Sequence, residues 1–381
     1  MILGHITLAA TSLNAAYSGL LSFFRHVNFE GRGAVDTFGE LVLNSAGVVV
    51  VLAVNRESLP LCISLGVASV LLAIRSYRKY VRGKTFHKMD LSGKVFIVTG
   101  SNTGIGLETA NELVSLGGTV ILACRSVSKA NKAKEEIIQR TFCSSKNVIV
   151  MECDLCSFES IRSFVKKFQS MGLPLHCLVN NAGLMVEERT LTKNGFETVF
   201  TANHLGPFLL THLLLPMIEL THGRIVMLSS SLHWLLSRVN IEDIMLERPG
   251  AYGLFTAYSQ SKLVSLMCAT ELQRRLTSKH SRVTVNSVHP GLVRTDIPRH
   301  MSPFMKTLNL LVLPILLTLQ KTPVMGAYST LYAITDSDLE GVGGKYISNC
   351  SIVDCNPAVY DKESTEIVWK LSEELTGLLS S

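Results

Sequence analysis

At 381 residues the chain exceeds the ~250 that one parallel α/β domain needs, and the surplus lies mainly at its N-terminal end. Nine cysteines, an odd number scattered through strand and helix patterns, argue against a disulfide framework and for a reducing environment. The net charge of +6 equals one basic run, Arg75, Arg78, Lys79, Arg82, Lys84 and Lys88, which no aromatic platform or basic stripe accompanies, so nucleic acid is not an expected partner.

Residues 1–90 read as a hydrophobic membrane-anchor region closed by that basic run. Met1–Phe24 carries no Lys, Arg, Asp or Glu, Leu41–Val54 is 14 uncharged residues, and Ser58–Ile74 is 17 uncharged residues with one proline. None reaches the roughly 18 continuous apolar residues that mark a span outright. A signal peptide at the start would lack its charged beginning. Leu59–Ile74 is the expected span, with Leu41–Val54 as a hairpin partner. Basic residues beside a span stay cytoplasmic and meet anionic head groups. The remainder of the chain is therefore expected to face the cytosol from a membrane. The sequon Asn349-Cys350-Ser351 opposes this, because it matters only in a lumen.

Val95–Val98 is a short apolar run of the kind that forms a buried parallel strand. It enters TGSNTGIG (Thr99–Gly106), then a helical stretch from Leu107 to Leu116 and a second strand at Thr119–Cys124. Glycines there let the backbone turn tightly and approach a pyrophosphate, whose charge the helix N-terminus meets. Gly100, Ser101, Asn102, Thr103, Gly104, Ile105 and Gly106 are thus candidate cofactor contacts. The spacing G-x-x-x-G-x-G differs from the commoner G-x-G-x-x-G, and an ordinary tight turn is the competing reading. A ribose 2′-hydroxyl is gripped by Asp or Glu about 20 residues past such a turn, whereas Arg accommodates a 2′-phosphate. Arg125 stands nineteen positions after Gly106 and no acid lies between the start of the second strand and Glu135, which favours NADP(H) over NAD(H). Otherwise Arg125 and Lys129 are a solvated helix start. Cys153 and Cys156 form a C-x-x-C with no second pair at zinc-ligand spacing, so they read as structural thiols and no metal is expected.

Tyr258 and Lys262, in YSQSK, share one face of a helix, a turn apart. An ammonium near a phenol stabilises phenolate and lowers its pKa from about 10, which equips it to give or take a proton. Chance supplies this spacing often. Here TGSNTGIG is followed in order by NNAG (Asn180–Gly183), ANHLG (Ala202–Gly206), IVMLSSS (Ile225–Ser231), YSQSK and HPGLVRT (His289–Thr295). On these motifs residues 91–345 resemble the short-chain dehydrogenase/reductase family. LPLHCLVNNAGLM, FLLTHLLLPM, KTPVMGAYSTLYAIT and LEGVGGKYI resemble its retinol-dehydrogenase-like branch, most of all the polyprenol dehydrogenase group.

The resemblance implies a Rossmann-type doubly wound parallel sheet, here preceded by the membrane segments and followed by a C-terminal extension, residues 346–381, packed on or trailing it. It implies Tyr258 as general acid/base, and Lys262 holding the nicotinamide ribose and depressing the tyrosine. Ser230 would steady the substrate oxygen, with Ser229 and Ser231 as strand-end or turn hydroxyls. Asn203, 27 residues before Ser230, would bend its helix and bind a water that links Lys262 to solvent. Asn180, Asn181, Ala182 and Gly183 would lie under the cofactor, and Asp154 with Leu155 beside the adenine, unless Asp154 is a helix N-cap. Pro290, Gly291, Val293 and Thr295 would close the nicotinamide pocket. The family's other basic position, inside the glycine turn, is the uncharged Asn102-Thr103.

Leu308–Leu319 (LNLLVLPILLTL) is apolar but too short to span. It reads as a lid dipping into the bilayer, a helix packed on the sheet, or part of a homodimer interface. Trp234, His233, Leu235 and Leu236 would line the same mouth, with no chemistry assigned to His233. The expected function is a membrane-associated NAD(P)-dependent oxidoreductase interconverting a lipophilic alcohol, polyprenol-type or retinoid, with its carbonyl. Endoplasmic reticulum is the expected location and lipid droplet a second. The alternative is a cofactor-binding membrane protein of the same fold with a binding or signalling role and little turnover.

Overall fold

The computed structural model describes residues 85–293 and 320–379. The expected membrane segments up to residue 84, Thr295 and the run Leu308–Leu319 lie outside the described residues. Among the described residues no helix is long and apolar enough to cross a membrane.

Strand β1 (Val95–Thr99) is buried along its whole length. Because side chains alternate across a strand, Val95 and Ile97 join the core on one face while Phe96 and Val98 join the core on the other. A strand covered on both faces favours apolar side chains, which is why Val95–Val98 reads as a continuous run. β2 (Thr119–Cys124), β4 (Cys177–Asn180), β5 (Arg224–Leu228) and β6 (Thr284–His289) are likewise buried, although β6 carries the polar Asn286 and Ser287 inside, and β3 (Val148–Glu152) lies at the edge. The sheet order is β3-β2-β1-β4-β5-β6-β7-β8. Its neighbours pair in parallel up to β7 (Tyr346–Ser348), and β8 (Ser351–Val353) closes it antiparallel. The chain winds outward from β1 to β3 and then restarts at β4, so a crevice opens beyond the carboxyl ends of β1 and β4.

Helices α1 (Gly104–Ser115), α2 (Val127–Thr141) and α6 (Pro323–Thr335) share one core through residues such as Leu113, Ile137 and Leu331. Helices α3 (Phe158–Ser170), α4 (Gly206–Leu220), α5 (Leu254–Ser278) and α7 (Lys362–Thr376) share the other through Phe164, Leu209, Leu263 and Trp369. The residues expected as a C-terminal extension thus supply β7, β8 and α7 to the sheet and its helix layer. Trp369 of α7 packs edge-on against Phe208 at 5.1 Å and carries the Arg275 guanidinium over its face at 4.4 Å. Asn349 of the sequon is buried in the β7–β8 turn, so the folded chain does not present it for glycosylation.

Helix α4 continues from a short α segment (Thr198–Phe200) through a π-helical turn (Thr201–Leu205). The Gly206 N–H donates to the Thr201 carbonyl, which closes that wider turn. Gly206 sits directly on the loop after β3: a Cβ there would strike the Leu155 carbonyl oxygen and stand 2.9 Å from the Leu155 Cβ. Backbone on both sides leaves little room to yield. Gly206→Ala is expected to cost about 1–3 kcal/mol of stability through overpacking, read as a lower midpoint in urea unfolding; an unchanged midpoint would show that the loop moves freely.

Candidate active site

Two stretches of backbone meet at the crevice. Gly100, at φ +62°, turns the chain off β1, and its N–H donates to the Ala123 carbonyl of β2. Across the crevice, the Asn181 side-chain amide donates to the carbonyls of Thr99 (2.8 Å) and Gly100 (3.3 Å). The Thr99 hydroxyl accepts the N–H groups of Asn181 and Ala182, both at 3.0 Å. Gly106 has to be glycine because a Cβ would press on that same Asn181 amide and stand 2.6 Å from the Gly100 oxygen. Asn180, also expected under the cofactor, points elsewhere: one residue along a strand reverses the side chain, and its amide donates to Thr211 Oγ1 at 2.9 Å in the core.

Helix α1 starts at Gly104, three residues before the expected Leu107, so Gly104, Ile105 and Gly106 form its first turn. No acid stands in that turn, and Gly104, at φ +60°, has nothing within 4 Å of where a Cβ would lie. Open space over an uncrowded helix N-terminus fits the pyrophosphate of a dinucleotide. Asn102 and Thr103 are half-buried beside it, whereas the Ser101 hydroxyl turns inward to the Val98 carbonyl at 2.9 Å. Arg125 is exposed at the end of β2. Asp154 accepts the Cys156 N–H at 2.9 Å, and it is not the cap of α3; Ser157 is. Leu155 is buried under Gly206. Burial pushes the thiols of Cys153 and Cys156 up to about 12 and about 11, the state of structural rather than reactive cysteines. Gly291, at φ +86°, and half-buried Pro290 and Val293 follow β6, with Val293 packed on Gly326 of α6.

The four residues picked out as catalytic arrive from different elements and come together at the crevice. Tyr258 and Lys262 sit one turn apart on α5, 7% and 4% exposed, with Nζ 5.7 Å from the centre of the phenol ring. Ser230 lies half-buried just past β5, its side chain acting on the Tyr258 phenol while its Oγ accepts the Leu232 N–H at 3.3 Å. Asn203 stands in the π-helical turn. Its Oδ1 accepts the Leu184 N–H at 2.8 Å, and its Nδ2 donates to the Leu184 carbonyl (2.9 Å) and to Ser261 Oγ (3.0 Å). A Cβ on Gly183 would lie 3.2 Å from Asn203 Oδ1 and 3.4 Å from Lys262 Nζ, so both heads converge under that glycine.

The electrostatics reverse one expectation. Burial pushes the Tyr258 phenol up to about 12, and the nearby Ser230 side chain pulls only partly against it. Burial also lowers Lys262 to about 8, and its ammonium donates to the Leu228 carbonyl at 2.7 Å instead of facing the phenol oxygen. Desolvation therefore outweighs the expected depression of the tyrosine.

Three contributors had little or no signal in the sequence. Leu184 and Leu228 act through backbone atoms alone. Ser261 passes the Asn203 contact on to the Tyr258 carbonyl at 2.7 Å, and its only mark is its place inside YSQSK. His233 is corrected: it is fully buried and does not line a mouth, because both ring nitrogens are engaged inward. Ser231 is buried in the turn, and Ser229 Oγ is buried without a hydrogen-bond partner. Among the described residues no group of His, Cys, Asp and Glu could hold a metal ion.

The family profile of short chain dehydrogenases matches residues 94–235, ending before Tyr258. Human polyprenol dehydrogenase is 38% identical over 291 residues, 75% of this chain and 86% of that protein. Bovine retinol dehydrogenase 12 is 39% identical over 305 residues, 80% of this chain and 93% of that protein. The chain belongs to the short-chain dehydrogenase family. A crystal structure of an uncharacterised member of this fold from Mycobacterium paratuberculosis superposes with a TM-score of 0.61 at 31% identity, over 77% of this chain and 98% of that one. This short-chain dehydrogenase is an NAD(P)-dependent alcohol dehydrogenase or carbonyl reductase related to the retinol and polyprenol enzymes.

Several histidines around the site are held neutral by burial. His204, beside Asn203, is lowered to about 3, His233 to about 4 and His289 to about 3. In the unfolded chain they titrate near 6.5, so below that pH the unfolded state binds more protons than the folded one. Their stabilisation is complete above about 6.5 and falls by about 1.4 kcal/mol per pH unit per histidine on acidification. Urea unfolding at pH 7.5 and 5.5 should show a loss of up to about 4 kcal/mol, and equal stability at both would contradict buried neutral imidazoles.

Proposed function

We propose that this enzyme interconverts a long apolar alcohol and its aldehyde at a membrane, using NADP(H) in preference to NAD(H). The observation that carries the reading is the convergence of Asn203 and Lys262 under Gly183, with buried Tyr258 one helical turn from that lysine. When bound, the nicotinamide supplies or accepts the hydride. Tyr258, held protonated well above neutral pH, gives its proton to the carbonyl oxygen in reduction and takes it back in oxidation. Ser230 donates to that oxygen as charge builds on it. Lys262 and Asn203, converging under Gly183, orient the ribose and return a proton toward Tyr258. Gly100, Ser101, Asn102, Thr103, Gly104, Ile105 and Gly106 cradle the pyrophosphate. Arg125 meets a 2′-phosphate, Asp154 and Leu155 border the adenine, and Asn181, Ala182, Pro290, Gly291, Val293 and Thr295 enclose the nicotinamide.

The substrate class rests on kinship with enzymes named for polyprenol and retinol, both long and apolar. The uncharged runs Met1–Phe24, Leu41–Val54 and Ser58–Ile74, the basic run after them and the run Leu308–Leu319 support delivery from a bilayer, with the catalytic domain on the cytosolic side of the endoplasmic reticulum.

The test is turnover of retinal and of polyprenal by the full chain with NADPH and with NADH. Tyr258→Phe should lower kcat by about 10²–10⁴-fold while NADPH still binds; retention of kcat would remove Tyr258 from the proton's path. Arg125→Glu should raise the KM for NADPH at least tenfold and leave that for NADH nearly unchanged. An equal rise for both nucleotides would assign Arg125 no part in recognising the 2′-phosphate.

A further inference from the structure

The chain's last segment reaches two catalytic loops through a pair of buried histidines. Ser230 caps a 3₁₀ turn (Ser231–Leu235), where its carbonyl accepts both the His233 N–H (3.2 Å) and His233 Nδ1–H (2.5 Å). The other ring nitrogen, Nε2, accepts the Asn356 N–H at 3.2 Å. A carbonyl only accepts and a backbone N–H only donates, so the two partners allow a single state of the ring: neutral, with its proton on Nδ1. The Asn356 side chain then donates to the carbonyls of His233 (3.0 Å) and Leu236 (2.6 Å), tying down both sides of the same turn. Its Oδ1 accepts the Ala358 N–H at 2.9 Å, which fixes the amide orientation. Tyr346 of β7 closes the ring's face edge-on at 5.0 Å.

A similar contact holds Asn203. His204, next in the chain and packed between Phe200 and Phe208, bonds Ser372 Oγ of α7 at 2.8 Å. Ser372 donates its own proton to the Val368 carbonyl at 2.7 Å, so His204 must be the donor through Nε2. Both tethers start within the last 26 residues and end next to a residue of the catalytic group.

We propose that Asn356 and His233 are positioning residues for Ser230: the segment after β8 locks the imidazole in one tautomer and thereby fixes the backbone from which the serine hydroxyl projects. This rests on the reading of Ser230 as the donor to the substrate oxygen. It makes the C-terminal segment part of the site, although none of its atoms needs to touch substrate. The consequence for chemistry runs through the position of the Ser230 side chain, which acts against burial at the Tyr258 phenol.

The experiment is a cycle in the full-length enzyme of Asn356→Ala, Ser230→Ala and the double variant, assayed with NADPH and with retinal or polyprenal, whichever turns over faster. Asn356→Ala should lower kcat 10- to 100-fold, keep the NADPH Kd within twofold by fluorescence, and shift the pH profile of kcat as Ser230→Ala does. The double variant should be no slower than Ser230→Ala alone, because a positioning residue has nothing left to position. Multiplying losses, or an unshifted profile in Asn356→Ala, would overturn the proposal. Full activity of Ser230→Ala would instead sink the reading of Ser230 itself. A readout free of turnover is amide hydrogen exchange over residues 229–236, which should quicken at least tenfold in Asn356→Ala with the rest of the sheet unchanged; equal exchange there counts against the tether. Should Asn356→Ala not fold, His233→Asn keeps a donor for the Ser230 carbonyl and should retain most of kcat, whereas His233→Leu should lose it. Equal kcat in those two would also overturn the proposal.

Discussion

Every strand between β2 and β6 in space is covered by helices on both faces, so apolar residues dominate the strands and the polar groups of the site stand at their ends. Thr99, Asn181, Ser230 and His289 all stand at or just past the carboxyl end of a strand. The crevice between β1 and β4 gathers these ends because the winding reverses there. Lys262 reaches the same region from α5, the longest helix of the described residues, which packs beside β5 and β6. The site is thus less a pocket cut into the fold than the set of places where burial relents.

Burial at that site has an electrostatic consequence. Tyr258 and Lys262 are each pushed toward neutrality, the phenol up and the ammonium down, and both shifts come first from desolvation. Lys262 is consequently the member whose protonation a modest change in local charge or hydrogen bonding alters, while Tyr258 stays protonated. Ser230 is the side chain acting against burial at the phenol, and the Leu228 carbonyl is the partner holding the amine. Small displacements of the loop after β5 therefore act on both groups at once.

The strand, glycine turn and second strand were legible in the sequence because each rests on local pattern: β2 falls on the expected Thr119–Cys124. The start of α1 was not, since glycine is a poor helix former, yet Gly106 is needed in its first turn by the crowding of Asn181 and the Gly100 carbonyl, and Gly104 by its φ of +60°. Asn180 and Asn181 looked equivalent until strand register sent one into the core and the other to the crevice. Tyr258 and Lys262 were found by spacing, but the direction of the tyrosine's shift depends on burial, which spacing does not carry. His233 was placed at a mouth because a loop histidine usually faces water; its partner Asn356 is 123 residues away, beyond any local pattern.

The π-helical turn at Thr201–Leu205 holds one residue more than an α-helical turn would. Deleting a single residue there would leave an ordinary α-helical turn in its place, with the core face almost unchanged beyond Gly206. It would also rotate everything before the deletion by about 100° about the axis, carrying Asn203 away from Gly183 and Lys262. Side-chain replacement cannot make that rotation, so the site's geometry is set at this point by chain length and not by residue identity. Homologous chains aligned through this helix can therefore agree at nearly every position and still differ in whether an asparagine reaches the lysine.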